Sequence, residues 1–103
     1  MSPLSKKIVK YQASIVLNDK CCRGTIENLS AKNIYLNTAS NIQEIMNATE
    51  FKLEFQPDSG EKMDLNCRVT NAYRIPPYGI TSSVSMEIIE PSSSYRDFFN
   101  ALI

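Results

Sequence analysis

Two stretches of the sequence alternate apolar and polar residues with a period of two, and this pattern constrains the fold more than any other feature. In "FKLEF", Phe51, Leu53 and Phe55 alternate with Lys52 and Glu54. In "KMDLNCRVT", Met63, Leu65, Cys67 and Val69 alternate with Asp64, Asn66, Arg68 and Thr70. Successive side chains of a strand point to opposite faces, so each stretch predicts a strand with one buried face. Between them "QPDSGE" supplies Pro57, Asp58, Ser59 and Gly60, the residues of a tight reversal, and the pair is expected to form an antiparallel hairpin. The run "SVSMEII" repeats the pattern with Val84, Met86 and Ile88 on one face. It follows "RIPPYG", whose paired prolines cannot sit inside a ladder and so mark a connection.

Upstream, the β-branched run "ASIVL" ends at the turn-like triplet Asn18-Asp19-Lys20, before "RGTIE" begins. Counting "NIYLN" as the third, about six strands are expected, and no helix is long enough to carry parallel crossovers. The sheet is therefore expected to be mostly antiparallel, burying one face as a small barrel or a tight sandwich. "NIQEIMNATE" spaces Ile42, Ile45 and Met46 as a helix does, which predicts one or two helical turns before the fourth strand. "PSSSYRDFFNALI" predicts a helix after Pro91, capped by a serine, with Tyr95, Phe98, Phe99 and Leu102 as an apolar stripe that packs on the sheet.

A chain of 103 residues supports one core, so residues 1–103 are read as a single domain, with a basic arm over 1–11 and a helix over 92–103. Eleven Lys and Arg balance eleven Asp and Glu, with no His. A neutral balance argues against nucleic-acid binding, which needs a dominant basic field, although a local cluster such as "SKKIVK" can receive a small anion. No apolar run reaches the ~20 residues of a membrane helix, and the N-terminus lacks a signal-peptide core, so a cytoplasmic protein with no membrane span is expected. Cys21, Cys22 and Cys67 form neither a disulfide framework nor a zinc-ligand spacing. They read as structural thiols, with no metal or cofactor expected. Without His a catalytic Cys lacks its usual base, no paired carboxylates are visible, and no Gly-rich loop precedes a helix. The chain is expected not to be an enzyme.

The remaining distinctive feature is the polar run Asn28-Leu29-Ser30-Ala31-Lys32-Asn33 between the apolar segments "GTI" and "NIYL". Asn28 and Ser30 are residues that close an Asx or Ser turn through local hydrogen bonds. The same groups also present hydrogen-bonding atoms to a ligand.

Together with the basic arm, this run resembles the PilZ domain, a bacterial receptor module for cyclic di-GMP, over residues 6–102. The family's [D/N]xSxxG turn is matched at Asn28 and Ser30, and Asn33 stands in place of its Gly. The family's RxxxR motif falls on Lys6-Lys7-Ile8-Val9-Lys10, with Lys6 and Lys10 at the arginine positions. The resemblance implies a six-stranded antiparallel PilZ-like barrel with a C-terminal helix. It also implies a cyclic di-GMP site in which Lys6, Lys7 and Lys10 neutralise phosphate and Asn28 and Ser30 meet a guanine edge, beside Asn33. Lysine brings a point charge without the planar fork of arginine, so each lost bidentate contact costs on the order of 1–3 kcal/mol. Asn33 tolerates the left-handed backbone that Gly favours, yet it narrows the approach. Arg23, Arg68 and Arg74 are exposed strand charges unless the fold brings one beside the turn, and Tyr73 and Tyr78 are expected to cover a barrel end. Two functions remain open. One is a cyclic di-GMP-responsive module acting on a protein partner in motility, attachment or polysaccharide export. The other is a ligand-independent adaptor that works through protein-protein contact.

Overall fold

In the computed structural model, which describes residues 6–17, 20–39, 45, 50–57, 60–75 and 81–102, the alternating segments are six strands. They are β1 (Lys7–Val16), β2 (Cys21–Leu29), β3 (Asn33–Thr38), β4 (Phe51–Phe55), β5 (Met63–Arg74) and β6 (Ser82–Ile88). All pairings are antiparallel, and the order β1-β2-β3-β6-β5-β4 closes into a barrel where Ala13–Val16 of β1 meets β4. Every strand thus has a neighbour on both sides, which answers the barrel-or-sandwich alternative in favour of the barrel.

The period-two pattern decides which face is inside. Phe51, Leu53 and Phe55 are buried, as are Val84, Met86 and Ile88, and Ile15, Ile26, Leu29, Ile34, Leu36 and Cys67 complete the interior. Gly24 permits β2 and β3 to approach closely, because a Cβ there would lie 2.8 Å from the Asn37 carbonyl oxygen and 2.9 Å from Leu36 Cδ2.

Residues 1–5 of the basic arm lie outside the described residues. From Lys7 onward the arm is strand, paired with the end of β2. β5 runs beyond the alternating stretch "KMDLNCRVT" and ends at Arg74, the first residue of the connection "RIPPYG". The helical turns expected over 41–50 lie outside the described residues apart from Ile45, which is helical and buried, and Glu50. Asp58, Ser59 and the paired prolines also lie outside them, but Gly60 N–H donates to the Pro57 carbonyl as the reversal requires.

The C-terminal helix α1 (Ser93–Ala101) starts where the serines predict: Ser92 is the N-cap, and its Oγ accepts from the Tyr95 N–H at 3.1 Å. Its stripe covers one end of the barrel. The Phe98 ring lies 5.9 Å from Phe55 and 6.2 Å from Tyr11, and Tyr11 stacks on Phe55 at 5.9 Å. Tyr95 is fully buried. Among the described residues no helix is long and apolar enough to cross a membrane.

Candidate functional site

The turn between β2 and β3 is narrower than the sequence implies. Asn28 and Leu29 still belong to β2, so only residues 30–32 form the connection. Ser30 closes it: its N–H donates to the Asn33 carbonyl at 2.8 Å, and its Oγ accepts from the Asn33 N–H at 3.0 Å. Two other elements hold the turn in place. The Ile88 N–H donates to the Lys32 carbonyl at 2.7 Å, and the Tyr95 hydroxyl donates to the Ser30 carbonyl at 2.6 Å. Burial, with Cys67 nearby, pushes the Tyr95 phenol well above its ordinary value, so the hydroxyl keeps its proton and remains a donor.

Asn33 opens β3 and pairs with Glu87 in the ladder. Its backbone is not left-handed, since Glu90 (φ 49°) is the sole described non-Gly residue with positive φ. The left-handed backbone that Gly favours is therefore not required at this position.

Two irregularities meet at Asn28. Between Ile8 and Tyr11, β1 carries one residue more than β2, and between Ile26 and Asn28, β2 carries one residue more than β3. Such bulges bend a strand and re-aim side chains. Here the second bulge places both Glu27 and Asn28 outward between the fully buried Ile26 and Leu29. Asn28 lies in a row with Ile8 of β1 and Tyr35 of β3. Its Oδ1 is buried and has no hydrogen-bond partner, the one such side-chain atom among the described residues. A buried acceptor without a donor costs about 1–3 kcal/mol, so this atom is a specific demand for a donor.

The basic residues divide between the two faces of the chain. Lys6, Ile8 and Lys10 are exposed while Lys7 and Val9 are half-buried, because a spacing of four keeps both motif positions on one side of an extended segment. Lys6 Nζ sits 4.9 Å from the centroid of the Tyr35 ring, a cation–π contact that brings its charge beside Asn28. Lys10 points into an open groove of about 330 Å³ that Arg23, Glu27 and Asn37 also line. Lys7 leaves the group: its Nζ donates to the Leu102 carbonyl at 2.9 Å and lies 5.7 Å from the Phe99 ring, tying β1 to the end of α1.

Of the other residues singled out in the sequence, Arg68 pairs with Glu87 at 2.6 Å on the far side of β6, and Arg74 is exposed. Tyr73 is 54% exposed and does not cover the barrel end, a role taken by Tyr11, Phe55 and Phe98. Tyr78 lies outside the described residues. Tyr35 and Ile8 were missed, though the signal was present: in "NIYL" the alternation buries Ile34 and Leu36 and turns Tyr35 outward.

No protein-family model and no curated protein sequence matches the chain. Among solved structures it is similar to the inhibitor of motility MotI/DgrA of Bacillus subtilis, a PilZ-domain protein, with a TM-score of 0.72 at 13% sequence identity over 93% of this chain. The match spans 46% of that neighbour's length. The closed six-stranded antiparallel barrel with its C-terminal helix is thus a PilZ-like fold.

Proposed function

We propose that this chain is a PilZ-type signalling module of the bacterial cytoplasm that binds cyclic di-GMP on the outer face of β1–β2–β3 and, without catalysing a reaction, passes that state to a protein partner. The observation that carries the reading is Asn28, whose buried Oδ1 lacks a donor. Guanine offers N–H donors along its base-pairing edge, and a base laid against Tyr35 would bring that edge to the orphaned oxygen. Lys6 and Lys10 supply positive charge on the same side of the chain as Asn28, suited to the two phosphates of a cyclic dinucleotide. Ser30 contributes by holding the turn, since its Oγ is already engaged with Asn33. Asn33 borders the approach, and Lys7 acts on the helix instead of on phosphate. The likeness to an inhibitor of motility makes motility the first process in which to look for the partner, ahead of attachment or polysaccharide export.

The test is isothermal calorimetry with cyclic di-GMP at tens of micromolar, paired with Asn28→Ala. Heat that disappears in the variant supports the site. Equal heat in both would place the ligand elsewhere, and none in either would remove the ligand role.

One observation favours a second reading, a ligand-independent adaptor. Ile8 is 89% exposed, an apolar side chain set between Lys6 and Lys10 where a protein surface could cover it. A partner captured equally well by the parent protein and by Asn28→Ala, but lost with Ile8→Asp, would select this reading.

A further inference from the structure

We propose that Arg23 supplies the guanidinium that the lysine arm lacks, and that the groove it shares with Lys10 is a subsite for one guanine nucleotide half of the ligand. The inference deepens the nucleotide reading above and rests on it. The groove lies on the outer face of β1, β2 and β3, holds about 330 Å³ and is lined by Lys10, Gln12, Arg23, Thr25, Glu27 and Asn37. That volume is at the lower end of small-molecule sites, which run from about 300 to 1,000 Å³.

The lining carries a donor and acceptor set that suits guanine with phosphate. Arg23 is exposed and makes no ion pair or side-chain hydrogen bond among the described residues, whereas Arg68 is occupied by Glu87. Its strand position is fixed instead through the backbone, where its carbonyl accepts from the Thr38 hydroxyl at 2.6 Å. A free guanidinium fork matches the O6 and N7 acceptors of guanine, which a lysine cannot match in the same plane. Glu27 is held in place by Asn37, whose Nδ2 donates to its Oε1 at 2.9 Å. A positioned carboxylate accepts the N–H donors of guanine, which adenine does not present in the same arrangement. Lys10 adds a second positive charge for phosphate, and with Arg23 it outweighs the single negative charge of Glu27.

Position on the strands reinforces the chemistry. Glu27 is the extra residue of the β2 bulge, and Lys10 lies within the β1 irregularity. Both irregularities therefore aim a charged side chain onto this face, and the same bulge orients Asn28. The groove and the Asn28 position are adjacent parts of one surface, suited to the two halves of one dinucleotide.

The test is a titration of the ¹⁵N-labelled chain with cyclic di-GMP, GMP and cyclic di-AMP, using the parent protein, Arg23→Gln, Arg23→Lys and Asn28→Ala. The amides of Lys10, Arg23, Thr25, Glu27 and Asn37 are expected to move with both guanine nucleotides. Arg23→Gln should weaken cyclic di-GMP binding by roughly tenfold or more, the loss of one bidentate base contact. Arg23→Lys should keep the salt sensitivity of binding but narrow the preference for cyclic di-GMP over cyclic di-AMP. Movement at residues 28–33 alone, or unchanged affinity in Arg23→Gln, overturns the subsite while leaving the Asn28 reading intact. Movement in the groove alone supports the subsite and removes the Asn28 role. No response of either set to guanine nucleotides overturns both.

Discussion

Asn28 is the residue at which stability and the proposed function are expected to separate. Its buried Oδ1 has no donor, so replacing Asn28 by Leu is expected to raise the unfolding free energy of the ligand-free protein by about 1 kcal/mol, because it removes an uncompensated polar group. The same change should abolish nucleotide binding. Urea unfolding with and without cyclic di-GMP reads both effects, and a lower midpoint for the variant would show that the side chain is stabilising the barrel. A second residue-level effect concerns Cys67, whose thiol burial pushes from 9.0 up to about 12. Between those values the unfolded chain releases its proton and the folded chain keeps it. Stability should therefore fall as pH rises above 9.0, by at most roughly 1.4 kcal/mol per pH unit for this one group. Cys67→Ala removes that part of the slope, whatever it does to the overall level, and urea midpoints at neutral and alkaline pH measure it. At this scale the sequence showed the hydrogen-bonding groups of Asn28 and Ser30 but not their division of labour. Ser30 closes the turn while Asn28 stays in the strand, a distinction set by one bulge that composition does not reveal.

Among the elements, the C-terminal helix does more than cover an apolar surface. It reaches the turn through the Tyr95 hydroxyl on the Ser30 carbonyl, and it reaches β1 through Lys7 on the Leu102 carbonyl. Tyr95→Phe keeps the ring but leaves a buried carbonyl without its donor, and is expected to cost about 1–3 kcal/mol. Amide exchange at Ser30 and Asn33 should accelerate in the variant, whereas a change confined to α1 would show that the helix and the turn are independent. Ser92→Ala tests the helix start alone and should cost about 1 kcal/mol, read as a lower urea midpoint with an unchanged slope. The helix, its cap and its stripe were legible because local chemistry specifies them: serines after a proline, then aromatics at helical spacing. The arm was harder to read. "KKIVK" carries too many charges to look like a strand, yet exposed Lys6, Ile8 and Lys10 alternate with half-buried Lys7 and Val9, and pairing with the end of β2 makes it part of the barrel.

For the whole molecule, the period of two made the all-β class and the buried faces readable, while the strand order came from contacts that no local pattern encodes. β3 pairs with β6, and β1 meets both β2 and β4. Leu53, fully buried in β4 beside the seam that closes the barrel, reports on that closure. Leu53→Ala should destabilise the protein by about 2–5 kcal/mol, measured by urea unfolding, and a loss below 1 kcal/mol would indicate a seam that is not packed. Closure also builds the proposed ligand surface, because it fixes β1, β2 and β3 side by side with Lys6, Asn28, Tyr35 and the Arg23 groove on one outer face. The central claim is that this face receives a guanine dinucleotide. Its most direct test is a calorimetric titration of the parent chain with cyclic di-GMP, followed through the amide resonances of Lys6, Lys10, Arg23, Asn28 and Ser30. Saturable heat with shifts confined to that face is the expected result, and no heat with no shift at tens of micromolar ligand would contradict it.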